Sequence, residues 1–268
     1  MSKIDADEVR EAVRKKYGGI ARSSSEGCGC PTGSCCVETD ALAFDHLSAD
    51  VGYSMEELSA VPKGSNMGLG CGNPVAIAAL KVGETVLDLG SGGGFDCFLA
   101  AQAVGETGHV IGVDATPEMV SKSRRLAAEN GFENVEFRLG EIENLPVADG
   151  CSDVIISNCV INLSPNKGRV FQEAFRVLKP GGRLSVSDVV ATVELPDEMK
   201  ADLKLYTGCI AGASLVEDLE VMLRQARFAN VRIEPRDQSR GFIREWAPGM
   251  GVEDFVVSAI IEAEKPTR

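Results

Sequence analysis

The sequence predicts an α/β protein on a mostly parallel, doubly wound sheet, and three observations carry that expectation. Short apolar runs alternate with helical patterns along the middle of the chain. A glycine-rich turn, GSGGG at 90–94, follows the first of those runs. The second run ends on Asp114, 26 residues after the aspartate that ends the first, Asp88.

Taken in order, residues 5–17 read as a short amphipathic helix. Asp5 caps it, Val9, Val13 and Tyr17 share a face, and Gly18-Gly19 ends it. Residues 22–36, rich in Ser, Gly and Cys, read as loop, and 53–74 as a turn-rich stretch. TVLDLG (85–90) is a buried strand, FDCFLAAQAV (95–104) a helix and HVIGVD (109–114) the second strand. Thr116 then caps a helix that has Pro117 at its first position and Gly131 beyond its end. VEFRLG (135–140) and DVIISNCV (153–160) are the third and fourth strands. RVFQEAFRVL (169–178) is a helix closed by Lys179-Pro180-Gly181-Gly182, and RLSVSDVV (183–190) is the fifth strand. Beyond it, 195–206 reads as helix, 208–213 as a small-residue loop, and 214–228 as a helix with a Ser214/Glu217 capping box. Its buried stripe is Leu215, Leu219, Met222, Leu223 and Ala226. Residues 231–235 and 254–263 are expected to form a closing antiparallel pair. The expected organisation is a covering segment over 1–74, a core over 75–190 and a small C-terminal α+β region over 191–268.

Composition narrows the partners. The net charge of −13 and the lack of a Lys/Arg cluster argue against nucleic acid and anionic membrane surfaces. No apolar run is long enough to span a bilayer, and MSKIDADEVREAV lacks the apolar centre of a signal peptide, so a cytoplasmic protein is expected. The balanced surface composition points to a monomer. Nine cysteines against two histidines is the anomaly. In a reducing compartment they point to metal binding, catalysis or core packing rather than a disulfide framework.

The glycine turn lets the backbone approach a ligand closely. Asp88 so near it disfavours a pyrophosphate and suits a ligand bearing an ammonium and a sulfonium, while Asp114 is placed to accept both ribose hydroxyls. That favours S-adenosylmethionine over a dinucleotide. Gly90, Ser91, Gly92 and Gly94 are the expected cradle, Glu141 and Ile142 after strand three the adenine side, and Asn158 the floor of the reactive end. After strand four, where a general base is expected for methylation of O, N or C, the chain offers Ser157-Asn158-Cys159-Val160-Ile161-Asn162. Cys159 there, and Cys71 and Cys209 among small residues, are open to three roles: nucleophile, soft-metal ligand or core. Cys97 reads as core and Cys151 as incidental.

The core over about 75–190 resembles the class I S-adenosylmethionine methyltransferases, which implies a Rossmann-like sheet. The segments NMGLGCGNP, SNCVINLSPNK and TGCIAGA, with a helix ending at Tyr17-Gly18 before a cysteine-bearing loop, resemble the arsenite S-adenosylmethionine methyltransferases over almost the whole chain. The resemblance implies that Cys159 and Cys209 hold trivalent arsenic near the methyl donor, with Cys71 as a third thiol or a disulfide-resolving one. It implies that the C-terminal region binds the substrate. It also implies methyl transfer to an arsenic lone pair without a base, and regeneration of the thiols by thioredoxin or glutathione. Arsenic is expected as arsenite or its thiol conjugate. The family's N-terminal cysteine has four candidates here, Cys28, Cys30, Cys35 and Cys36, with Cys35-Cys36 preferred. That loop would add a thiol, capture arsenic first or relay a disulfide.

Overall fold

The computed structural model of the chain describes residues 5–23 and 37–267. Two helices, α1 (Ala6–Ser23) and α2 (Val37–Asp50), precede the short α3 (Met55–Ala60) and α4 (Pro74–Ala78). The alternating core follows: β1 (Thr85–Leu89), α5 (Phe95–Val104), β2 (His109–Asp114), α6 (Pro117–Glu129), β3 (Val135–Leu139), β4 (Ser152–Asn158), α7 (Lys167–Val177) and β5 (Leu178–Ala191). The chain ends through α8 (Asp197–Lys200), α9 (Leu203–Thr207), α10 (Val216–Gln225), β6 (Ala229–Arg236), α11 (Arg240–Arg244) and β7 (Val256–Glu264).

The strands form one seven-stranded sheet in the order β3-β2-β1-β4-β5-β7-β6. The first five are parallel, and β7 joins β5 and β6 antiparallel. The order reverses between β1 and β4, so a crevice opens at the C-terminal ends of those strands, where open α/β sheets bind ligands. Alternate residues of each strand feed opposite cores. Leu87, Leu89, Ile155 and Leu184 pack with Phe171, Leu219 and Leu223 of α7 and α10, whereas Val86, Val110, Val154 and Ile156 pack with Phe98, Val120 and Leu126 of α5 and α6. Because β6 and β7 belong to the same sheet, the strands of the C-terminal region extend the core instead of forming a layer of their own.

Several boundaries depart from the expectation, each for a tertiary reason. Gly18-Gly19 does not stop α1, which runs on to Ser23. Ile20 and Ala21 continue its buried side against Met67 and Met119, and Gly18 lies so near α6 that an added Cβ would sit 3.1 Å from Glu118 Oε2. The Lys179–Gly182 segment lies within β5, where Gly181 N donates to Lys265 O at 2.8 Å. The helix expected over 195–206 is two, because the Asp202 carboxylate accepts from Lys204 N and Leu205 N and starts α9 afresh. The Ser214/Glu217 box does not form: Ser214 O accepts from Ala191 N at 2.9 Å, which keeps this backbone extended along β5 and leaves Leu215 at the cap of α10. Thr116 occupies the cap position of α6 but its side chain makes no cap bond. The helix α2 carries no expectation from the sequence.

Candidate active site

The turn after β1 is folded back on β2, with Gly90 N and Ser91 N both donating to Val113 O at 2.7 and 3.0 Å. Gly90 takes φ +74°, and a Cβ there would lie 2.3 Å from Val160. A Cβ on Gly93 would meet Met67 Cε and Ser65 O at 3.0 Å. The turn and the strand ends bound a cleft of about 1130 Å³, its open mouth included. Asp88, Gly90, Ser91, Gly92, Asp114, Glu141, Ile142, Asn158 and Cys159 all line it, as the sequence places them. Gly94 does not. It sits at the start of α5, where its missing Cβ makes room for Phe98 and Phe137 at 2.8 Å.

Three carboxylates converge on this cleft. Asp114 accepts from Gly92 N at 2.9 Å and Thr116 N at 2.8 Å, which fixes it against the turn. Asp88 is buried and takes a hydrogen bond from Cys97 Sγ at 3.2 Å. Asp96, in the first turn of α5, accepts from Tyr53 Oη at 2.6 Å. Burial holds all three carboxyls above the ordinary carboxylate range, and Asp96 also raises Asp88. Arg10 and Arg14 also line the cleft, facing Glu143 (3.6 Å) and Glu141 (2.7 Å). A buried acidic end of this kind favours a cationic ligand. The buried Ser91 Oγ, which has no partner among the described residues, is a further free polar group on the lining. The residues present therefore fit S-adenosylmethionine.

Asn158 joins this end to the thiols. Its Oδ1 accepts from Cys71 N at 3.0 Å, and its Nδ2 donates to Gly72 O, Tyr53 Oη and Asp96 at 2.8, 2.9 and 3.2 Å. The next residue, Cys159, is joined to Cys71 by a disulfide. Cys209 is free, and its thiol donates to Cys159 O at 2.8 Å. All three cysteines are buried in one cluster with Val189, Leu205 and Ile210. Cys159 and Cys209 both hold left-handed backbone, φ +55° and +64°, a conformation that costs a non-glycine residue roughly 1–2 kcal/mol. Burial and nearby Asp188 push the Cys209 thiol well up, against the smaller pull of Lys16, Tyr17 and Lys167. Cys97 is core and Cys151 is half-buried in its turn. Cys28, Cys30, Cys35 and Cys36 lie outside the described residues.

Sequence reasoning missed Tyr53, Asp96, Asp188 and Tyr17 as site groups. Asp188 gave a usable signal, a carboxylate within the apolar strand SVSDVV. Tyr17 lines the cleft, and its hydroxyl donates to Thr207 O at 3.3 Å, two residues before Cys209. Only its helical face was legible.

A parallel sheet with its order reversal at β1/β4, a glycine turn and an acidic crevice define a class I S-adenosylmethionine-dependent methyltransferase. A family model described as a methyltransferase domain matches residues 80–227. The arsenite methyltransferase of Halobacterium salinarum is 54% identical over 98% of this chain and 68% of its own length. That of Aquipseudomonas alcaligenes is 42% identical over 84% and 63%, and that of Mus musculus 35% identical over 87% and 61%. The solved structure of CrArsM, an arsenic(III) S-adenosylmethionine methyltransferase of Chlamydomonas reinhardtii, superposes with a TM-score of 0.61 at 33% identity, over 84% of this chain and 73% of that one. The chain belongs to the arsenite methyltransferase family. It spans about two thirds of the length of these curated relatives. Phosphoethanolamine N-methyltransferase 2 of Haemonchus contortus, at 17% identity and a TM-score of 0.65 over 85% of this chain and 57% of that one, shares the fold.

Proposed function

We propose that this protein transfers a methyl group from S-adenosylmethionine to thiolate-bound trivalent arsenic, giving methylated arsenicals and so detoxifying arsenite. The single observation that supports this most is the convergence of Cys71, Cys159 and Cys209 in one buried cluster directly beside the acidic cleft. Bound S-adenosylmethionine supplies an electrophilic methyl on a sulfonium. Asp114 is placed for the ribose hydroxyls, the Gly90–Gly93 turn for close backbone approach, Glu141 and Ile142 for the adenine, and Asp88 and Asp96 for the cationic end.

Thiolates of Cys159 and Cys209 hold arsenic through As–S bonds, leaving its lone pair free, with Cys71 as the third ligand. Each As–S bond replaces a hydroxyl, which leaves as water with the thiol proton. No proton has to be removed from the arsenic centre, so alignment does the catalysis. The joined Cys71–Cys159 pair is the oxidised form of this site. A thioredoxin or glutathione system opens it: two reductant thiols become a disulfide, and Cys71 and Cys159 become two thiols. Methylation formally oxidises arsenic by two electrons, and a cysteine pair returns them by closing a disulfide. Arsenite or its conjugate with a small thiol is the substrate, and the protein works as a cytoplasmic monomer. Cys35 and Cys36 serve as auxiliary arsenic thiols. Among the described residues no helix is long and apolar enough to cross a membrane.

Product analysis after incubation with arsenite, S-adenosylmethionine and a thiol reductant tests the proposal. Methylarsenicals from the wild type are expected. Bound S-adenosylmethionine with no methylated arsenic would return the protein to methylation of a small organic substrate.

A further inference from the structure

The two thiols read as arsenic ligands come from turns 50 residues apart in sequence, Cys159 after β4 and Cys209 after α9. Both turns bear on one buried pair, Asp188 and Asn162. Asp188 Oδ2 accepts from Ile161 N at 2.9 Å and Asn162 N at 3.4 Å, and Oδ1 accepts from Val189 N at 2.7 Å and Asn162 Nδ2 at 2.9 Å. The Asn162 carboxamide also donates to Val189 O at 2.5 Å and, more weakly, to Cys209 O at 3.4 Å. The turns are in direct contact besides: a Cβ on Gly212 would lie 2.1 Å from Asn162 O, and Lys167 Nζ donates to Gly212 O at 2.6 Å.

Asp188 has a carboxylate oxygen within 4.8 Å of the sulfurs of Cys71 and Cys159, close enough to suggest a further ligand. Its hydrogen bonds argue otherwise. Both oxygens already accept two N–H groups each, leaving little lone-pair capacity for arsenic. Three of the four donors come from Ile161 and Asn162, just after Cys159, and the Asn162 amide that Asp188 orients reaches the carbonyl of Cys209. The arrangement is a bracket around two left-handed turns, the kind of backbone that persists only where its surroundings over-determine it.

We propose that Asn162, held by Asp188, is a positioning residue that sets the spacing of the Cys159 and Cys209 thiols for capture of trivalent arsenic. The role in arsenic capture rests on the function proposed above; the spacing itself does not. Asn162→Asp keeps the side-chain shape but turns the donor into an acceptor facing a carboxylate and two carbonyls. Asn162→Ala, which removes the donor without adding a charge, is the second variant should the first fail to fold.

The test uses the reduced 268-residue chain and two readouts. Arsenite affinity is measured by equilibrium dialysis. Thiol spacing is measured with dibromobimane, which bridges two neighbouring thiols, with the Cys159–Cys209 cross-link identified by mass spectrometry. Both are expected to fall at least tenfold in the variant, while S-adenosylmethionine affinity and single alkylation of Cys209 stay within twofold. Cross-linking at the wild-type rate in a folded variant overturns the inference. If bridging is lost in the variant yet the wild type takes up no arsenite, the spacing role is upheld and the arsenic reading fails.

Discussion

Around the glycine turn, Asp88, Gly90, Ser91, Gly92, Asp96 and Asp114 come from one continuous strand–turn–helix–strand unit. Around the thiols, nothing is contiguous: Cys71 precedes the sheet, Cys159 follows β4 and Cys209 follows α9. The first region shapes its site with backbone and with one carboxylate, Asp114, pinned by local N–H groups. The second gathers side chains over long separations and holds two of them in costly backbone. One end of the cleft is thus fixed by local pattern and the other by tertiary closure, with Asn158 as the joint between them.

If the regions divide the labour, their variants must separate cleanly. The largest effect is expected from Cys159→Ser and Cys209→Ser. Each should lower arsenic methylation at least about a hundredfold, since replacing a soft ligand removes the holding bond, while S-adenosylmethionine affinity by calorimetry stays unchanged. A parallel loss of cofactor affinity would break the comparison. Asp114→Ala should do the reverse, weakening the cofactor roughly ten- to hundredfold as its hydrogen bonds are lost, with arsenite uptake within twofold.

Gly90→Ala probes the seam. The new Cβ meets Val160, the neighbour of Cys159, at 2.3 Å and at a positive φ. A destabilisation of about 1–3 kcal/mol in denaturant melts is expected, with both affinities reduced. The smallest effect is electrostatic. Burial pushes the Asp96 carboxyl up to about 6, with Tyr53 and Asn158 opposing. The folded form then holds its proton at pH values where the unfolded chain has lost it. This contribution favours folding most below about pH 4 and is lost as the pH rises through 6. Wild type should therefore lose stability relative to Asp96→Asn across that interval, read as the gap between their melting curves. A constant gap would show that Asp96 does not titrate there.

The same division decides what the sequence made legible. The β1–turn–β2 unit could be read because its apolar runs, glycines and terminal carboxylates fall in one short window. Cys71, Cys159 and Cys209 stood out by their strand-end and small-residue settings, but that they act together was implied only by resemblance, since no spacing rule says that segments 88 and 50 residues apart will meet. Their partners Asn162 and Asp188 were harder still: their meaning lies in which carbonyls and amides they face, which only the crossing of β5 with the two turns decides. The early end assigned to α1 failed for a related reason. Gly18 signals a stop by itself, and the packing of Ile20 and Ala21 overrides it.

The Cys71–Cys159 bond has a consequence beyond chemistry. It ties together points 88 residues apart and so encloses β1, β2, β3 and β4 in one covalent ring. A ring of that size restricts the unfolded chain enough to favour the folded one by about 4–5 kcal/mol on a chain-entropy account. The disulfide-bonded protein is therefore the more durable form, and opening that bond removes the constraint. The oxidised protein should resist heat and proteolysis better than the reduced one, and the melting temperature with and without reductant measures that difference.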